Sequence, residues 1–238
     1  MLRVLRLISF LLLLVGARCA LSAQEARFFW GPELYPNYTA PRLLTYGNLS
    51  LPEREALQEQ EIGRPAYALG LNAGWSGEKL GFRFGLRFAE SGYRTRREPF
   101  PNDLPNPEGI TESRALYTQY RIDIPLSLDF SHQLDNRNRF FFSMGMAAGL
   151  QLAQRESNVL YFGDIQEKRP GESPDYAYRR LNWAFHTSMG WETYFSDNLS
   201  LSLAPTFQFW LSPLLQGAPI DRSLYSVGLL LGLRFYRG

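Results

Sequence analysis

Few residues of this chain combine a type and a spacing suited to acid–base or nucleophilic chemistry. The chain has two histidines, and His186 precedes Ser188 by two residues and Glu192 by six. A serine hydrolase needs a base that reaches the nucleophile and an acid that orients the base. Six residues of a strand span about 20 Å, so Glu192 cannot orient His186. We therefore expect no enzymatic activity, no metal site and no cofactor.

The remaining polar residues of interest recur at every second position. Between residues 116 and 130 most even positions are apolar, whereas the odd positions include Arg121, Asp123 and Asp129. Successive residues of a strand face opposite sides, so the pattern predicts one apolar and one polar face. Glu33 shares the polar parity if residues 26–38 form a strand. The predicted polar faces carry Arg83, Arg87, Arg121, Asp123, Asp129, His186, Glu192 and Arg234.

The elements that must position these residues are strands. An eighth strand over residues 26–38 is weakened by Pro32 and Pro36, because proline cannot donate to a strand ladder. An even strand number requires it, and eight strands close the smallest common membrane barrel. The other seven segments with period-two alternation cover residues 67–75, 80–88, 116–130, 140–152, 183–192, 199–211 and 225–235.

The connections between these segments alternate in length along the chain. Outer membrane barrels have short periplasmic turns and longer external loops. The alternation therefore predicts an all-β, eight-stranded, antiparallel, up-and-down transmembrane barrel with both termini in the periplasm. The long connections are residues 39–63, 99–112, 155–180 and 213–223, and the short ones are 76–78, 132–139 and 196–198.

Aromatic residues lie at both ends of the predicted apolar faces. Membrane barrels carry one girdle of aromatic side chains at each lipid–water interface. The short-turn end has Trp75, Phe130, Phe140, Phe195 and Phe235, and the long-loop end has Tyr67, Phe88, Trp183, Phe209 and Tyr225.

The N-terminus is typical of a secretory signal peptide. Arg3 and Arg6 precede an apolar run, and small residues follow it, so we predict a signal peptide over 1–23 and a barrel domain over 24–238. Cleavage is predicted at Ala23, with Ala20 as the alternative. Removing 1–23 takes away three arginines and no acid, so the net charge falls from +2 to −1 and gives no support for nucleic-acid binding.

Two of the long connections offer features for partner recognition. Ser50 and Glu53 have capping-box spacing, which predicts a short helix over 51–61 in the first external loop. The loop 155–180 mixes charges with tyrosines. Each feature is compatible with a solvated loop and with a docking surface for a partner. Expected partners are outer membrane lipid, the barrel assembly machinery, and envelope proteins contacting loops 39–63 and 155–180.

Three segments resemble a known family. They are Tyr120-Arg-Ile-Asp-Ile-Pro-Leu-Ser-Leu128, the glycine-rich stretch Gly145-Met-Ala-Ala-Gly149 and the final strand from Leu224 to Phe235. They resemble the outer membrane β-barrel domain proteins of Bacteroidetes-type bacteria, the family that includes PorT-like proteins. The chain departs from the pattern in continuing past Phe235. The resemblance implies the outer membrane as location and, for some members, an accessory role in secretion or gliding.

These observations lead to one expected function and two alternatives. We expect a non-enzymatic barrel with a structural or interaction role, whose interior charges pair with one another and fill the lumen. The alternative is a porin-like channel for small solutes, in which the same charges line a narrow hydrated path. The lesser alternative is a soluble lipocalin-like barrel, which would turn its apolar face inward around a ligand.

Overall fold

A computed structural model describes residues 26–45, 50–101, 105–106, 108–171, 177–218 and 220–237. The predicted signal peptide lies outside these residues. Within them the elements are β1 Arg27–Thr45, α1 Leu51–Gln60, β2 Glu61–Ser76, β3 Leu80–Thr95, β4 Glu98–Pro99, β5 Glu112–Gln133, β6 Asn138–Phe162, β7 Ile165–Pro170, β8 Leu181–Ser196, β9 Leu199–Trp210 and β10 Asp221–Tyr236.

Eight of the described strands form a closed antiparallel ring. Each strand of the series β1, β2, β3, β5, β6, β8, β9 and β10 pairs with the next. β10 then returns to β1, with Trp30 opposite Phe235 and Arg42 opposite Ser223. β4 and β7 lie outside the ring, on β5 and β6 respectively. The prediction of an eight-stranded antiparallel barrel is confirmed.

Alternation along each strand decides which residues face outward. On β2, Leu71 is 61% exposed, whereas its neighbour Asn72 is 4% exposed. On β9 the odd residues, such as Leu203, face outward and the even residues, such as Ser202, face inward. The outside is thus apolar, and the inside is mostly small or polar with a few aromatic side chains such as Phe141 and Trp210, which is the reverse of a soluble ligand-binding barrel. The lipocalin-like alternative is therefore wrong.

The two prolines of β1 explain how this strand persists. Pairing with β2 runs without interruption through Pro32 and Pro36. On the other side, the register with β10 omits both prolines. Proline has no backbone N–H, so it is tolerated where a ladder bond is dispensable. The prolines weaken one of the two ladders of β1 and leave the strand in place.

The prediction that residues 39–63 and 155–180 form loops is wrong over much of their length. β1 continues to Thr45, and β2 already begins at Glu61. β6 continues to Phe162, and β7 folds back onto it through the pair Phe162 and Ile165. These residues lack the apolar alternation because they lie beyond the predicted aromatic girdle, where no lipid faces them. Backbone pairing between strands does not require apolar side chains. We call residues 112–119 of β5, residues 153–162 of β6, and β7 the strand extension.

The helix in the first connection forms as predicted. The backbone N–H of Ser50 donates to the Glu53 carboxylate at 2.7 Å, and Pro52 lies in the first turn. The helix ends at Gln60, one residue earlier than predicted. In the part of the chain that the structure describes, no helix has the length and apolar character needed to cross a membrane.

Candidate functional site

The inward faces of the ring gather the predicted polar residues into one interior site. All eight of these residues are buried in the barrel. The strands bring them together because inward positions of neighbouring strands lie opposite one another in register. Asp129, for example, lies opposite Ser143, and Glu192 lies opposite Arg139.

Glu192 is the centre of the contacts at the short-turn end. Its side chain is fully buried, and its carboxylate accepts hydrogen bonds from Arg139 and from Arg234, the latter at 2.9 Å. The hydroxyls of Ser200 and Tyr236 also donate to it, that of Tyr236 at 2.6 Å. Four donors on three different strands, β6, β9 and β10, thus satisfy one carboxylate of β8, which fixes these four strands relative to one another.

Asp129 continues the contacts towards the middle of the barrel. Its carboxylate lies 3.5 Å from the Arg234 guanidinium and 3.3 Å from that of Arg83. The Ser143 hydroxyl donates to the same carboxylate. The Arg234 guanidinium also lies 4.6 Å from the centre of the Phe29 ring. Arg234 therefore links Glu192 to Asp129.

Glu33 completes the network from the side of β1. Arg87 donates to its carboxylate, Asn72 donates at 3.0 Å, and Arg83 lies 3.9 Å away. Arg83 therefore links Glu33 to Asp129. We call the resulting series the interior ion-pair network, and its charged members are Arg139, Glu192, Arg234, Asp129, Arg83, Glu33 and Arg87.

A second ion pair lies nearer the long-loop end. Arg121 lies 3.3 Å from the Asp123 carboxylate, donates to Ser91 at 2.6 Å and stacks 4.1 Å over the Trp210 ring. The expected pairing of interior charges does not join Asp123 to β3. Arg87 does lie opposite Asp123 in register, but Arg87 donates to Glu33 from two strands away.

Sequence reasoning missed two members of the site. Arg139 was placed in a turn over 132–139, although its odd parity matches that of Phe141 and Ser143 on the inward face of β6. Tyr236 lies beyond Phe235, where the final strand was expected to end. Extending the alternation by one step at each strand end would have found both residues.

His186 is held by a residue that the sequence did not single out. Its Nε2 lies 2.8 Å from the Ser127 hydroxyl, while its Nδ1 has no partner among the described residues. The Glu192 carboxylate is occupied by the donors described above. The Ser127–His186 pair is therefore buried and lacks an acid that could orient the imidazole. The described residues contain no group of three or more metal-ligating side chains placed to hold an ion.

A cleft lies at the long-loop end of the lumen. Tyr93 and Tyr117 stack on its wall with ring centres 4.5 Å apart. Arg222, also in the wall, donates to the Glu61 carboxylate at 2.8 Å and 3.0 Å. Burial raises the pKa of Glu61 above its ordinary value even though Arg222 opposes this shift.

The ten predicted girdle residues all occupy outward positions. Tyr67, Trp75, Phe88, Phe130, Trp183 and Phe195 are exposed, and Phe140, Phe209, Tyr225 and Phe235 are half-buried. Neighbouring rings cover the half-buried ones, as where Phe235 packs against Trp30 at 5.2 Å and Phe140 against Trp191 at 5.7 Å.

Several solved outer membrane proteins are similar to this chain at low sequence identity. No curated protein matches the chain. Neisserial surface protein A is similar in structure, at 8% identity and a TM-score of 0.45, covering 89% of this chain and 97% of that chain. OprG from Pseudomonas aeruginosa is similar at 8% identity and a TM-score of 0.45, covering 90% and 98% respectively. The outer membrane protease OmpT from Escherichia coli is similar at 9% identity and a TM-score of 0.42, covering 89% and 97%.

The family model of the outer membrane protein beta-barrel domain matches residues 23–212. That match covers most of the described ring. The chain therefore belongs to the outer membrane protein beta-barrel domain family and is a barrel protein of the bacterial outer membrane.

Proposed function

We propose that this protein is a non-enzymatic outer membrane barrel with a sealed lumen and a structural or interaction role. The observation that carries the proposal is the interior ion-pair network. An eight-stranded barrel is only wide enough to be filled by side chains. Each carboxylate of the network contacts at least two donors, and losing a partner would leave a buried charge unpaired, so the closed arrangement is strongly favoured.

The absence of catalysis is part of the same proposal. The Ser127–His186 pair is the nearest approach to a nucleophile and base in the described lumen. It lies among the interior charges, away from either mouth, and no carboxylate orients the imidazole. A hydrolytic role would require both an orienting acid and access for substrate.

We assign both termini to the periplasm and the strand extension to the cell exterior. Within the described chain, β1 begins and β10 ends at the same mouth as the short connections between β2 and β3, β5 and β6, and β8 and β9. Short turns are typical of the periplasmic side of outer membrane barrels. The extension of β5 and β6 projects from the opposite mouth.

The interaction role is assigned to the external mouth. We propose that residues 39–63 and 155–180 contact envelope partners, here as strand ends, the helix α1 and β7 rather than as loops. The resemblance to PorT-like proteins favours an accessory role in a secretion or gliding system. Outer membrane lipid and the barrel assembly machinery are the other partners we propose.

Conductance in planar lipid bilayers tests the sealed lumen. We expect no sustained current from the unmodified protein, and none from the Asp123→Ala variant, because the network from Arg139 to Arg87 remains across the barrel. Both the unmodified protein and the variant must be fully folded, as judged by their heat-modifiable gel mobility. A stable current whose ion selectivity changes in an Arg87→Glu variant would instead establish the small-solute channel.

A further inference from the structure

The outward face of the strand extension is basic. A bulge sets its composition: Tyr120 lies opposite Ala153 and Arg121 opposite Gln151, so Leu152 is an extra residue in β6. Inserting one residue reverses the parity of the strand beyond it. As a result Arg155 reaches the outward face opposite Thr118.

The same face receives positive charges from the neighbouring strands. Arg94 of β3 lies opposite Leu116 of β5. Arg114 lies on β5 itself, two residues before Leu116, and therefore on the same face. Arg114 in turn lies opposite Val159, which lies opposite Lys168 of β7. We call Arg94, Arg114, Arg155 and Lys168 the basic face.

The acids on this face are already paired with other arginines. Arg64 donates to Glu90, and Arg97 lies 3.5 Å from Glu112. In the described part of the chain, none of the four members of the basic face forms an ion pair. The Nε atoms of Arg94 and Arg114 are also buried without a hydrogen-bond partner. The face therefore carries net positive charge and unsatisfied donors.

The backbone of the basic face lies above the layer of lipid headgroups, within reach of long side chains. Phe88 and Tyr120 mark the upper edge of the apolar band, and Arg94 and Arg114 each lie six residues beyond them along the strands. Six residues of a tilted strand rise by about 15 Å. The headgroup layer extends about 5–8 Å beyond the hydrocarbon, and arginine side chains reach down along the surface to polar groups.

We propose that the basic face binds the phosphate groups of an anionic lipid in the adjoining leaflet. Arg94 and Arg114 are diagonal neighbours on adjacent strands, at a spacing of about 7–8 Å, which lets two planar guanidinium groups hold one phosphorylated headgroup. The guanidinium groups would gain phosphate oxygens as acceptors, and the acyl chains would lie against the apolar band below. With the proposed orientation, the adjoining leaflet is the outer one.

Native mass spectrometry of the mature chain in neutral detergent micelles tests this proposal. Diphosphoryl lipid A is the probe, and phosphatidylcholine is the lipid without net charge. We expect lipid A to bind, the Arg94→Gln/Arg114→Gln variant to bind it about tenfold or more weakly, and higher salt to weaken binding in the unmodified protein. A matched Lys79→Gln/Arg237→Gln variant, which loses two charges at the short-turn end, should bind as the unmodified protein does.

Three outcomes would overturn the proposal. They are equal loss in both double variants, equal binding of phosphatidylcholine, and full displacement of the lipid by inorganic phosphate, which would show a site for free anions. If Arg94→Gln/Arg114→Gln fails to fold, Arg155→Gln/Lys168→Gln replaces it, because both of those residues are exposed. Binding in micelles does not depend on orientation or conductance, so failure here is distinguishable from failure of the proposed function.

Discussion

At the scale of single residues, the interior of this barrel depends on carboxylates shared between several donors. Glu192 is fully buried and accepts hydrogen bonds from residues on three other strands. Burying a charge is costly unless partners compensate for it. Arg83 and Arg234 each contact two acids, so each arginine couples two buried carboxylates. The loss of one acid therefore also affects strands that the acid itself does not contact.

Replacing Glu192 with Gln should destabilise the barrel by about 3–5 kcal/mol, because Arg139 loses its acid and Arg234 keeps only Asp129. The measurement is the temperature at which the folded form loses its faster gel mobility. Glu78→Gln, at an exposed acid in a short turn, is the control and should leave that temperature unchanged. Equal temperatures for the two variants would show that the interior charges are hydrated rather than dry.

Asp135 provides a pH-dependent contribution outside the membrane. Hydrogen bonds from the Asn138 side chain and the Arg137 backbone N–H hold its pKa below the ordinary value of 3.8. A carboxyl with a lowered folded-state pKa stabilises the fold above its unfolded pKa, and this stabilisation is lost as the pH falls through the folded value. We expect NMR titration of the Asp135 carboxyl carbon to give a midpoint below 3.8 and Asn138→Ala to raise it. A midpoint at or above 3.8 would contradict the turn geometry.

At the scale of elements, each ring strand has one face against lipid and one against the interior charges. β5 illustrates both, since Ile124 is exposed on the outside and Asp123 is buried inside. Beyond the aromatic girdle, β5 continues with mostly polar and charged residues. The strand is therefore longer than its apolar alternation, because the ladder with β6 supports it where lipid does not.

Replacing Ile124 with Arg tests the lipid face of β5. Ile124 is 49% exposed and Leu134, beyond the end of β5, is 53% exposed, so the two sites differ in surroundings rather than in exposure. Arginine at the middle of the bilayer should cost about 2–4 kcal/mol, whereas Leu134→Arg should be tolerated in water. Unfolding in urea from lipid vesicles measures both. Similar stabilities would mean that this face of β5 does not contact lipid.

At the scale of the whole molecule, ring closure places both ends of the described chain at one mouth. The pairing of β1 with β10 leaves no unpaired edge in the ring, which a membrane-spanning sheet requires because lipid offers no hydrogen bonds. The two mouths differ in structure, since the short turns lie at one and the strand extension and α1 lie at the other.

Cysteine labelling in intact cells tests the orientation. Residues after Cys19 include no cysteine, so introduced ones are unique in the mature chain. We expect Asp164→Cys, in the turn between β6 and β7, to react with a membrane-impermeant maleimide in intact cells. Asn136→Cys, in the turn between β5 and β6, should react only after the outer membrane is permeabilised. The reverse pattern would place the strand extension in the periplasm.

The sequence by itself determined the ring, the faces of its strands and the identity of most interior charges. Period-two alternation is a local property, so the parity of Arg83, Asp129 or Arg234 can be read without knowing any partner. Only the tertiary structure decided which charges meet. Arg87 binds Glu33 rather than Asp123 because the curvature of the sheet brings the inward faces of β1 and β3 together across β2. Ser127 rather than Ser188 holds His186 because Gly145, which lies between Ser127 and His186 in register on β6, has no side chain to separate them. The extent of β6 and the reversal of its parity at Leu152 likewise follow from pairing with β5, a contact between segments that no local pattern records.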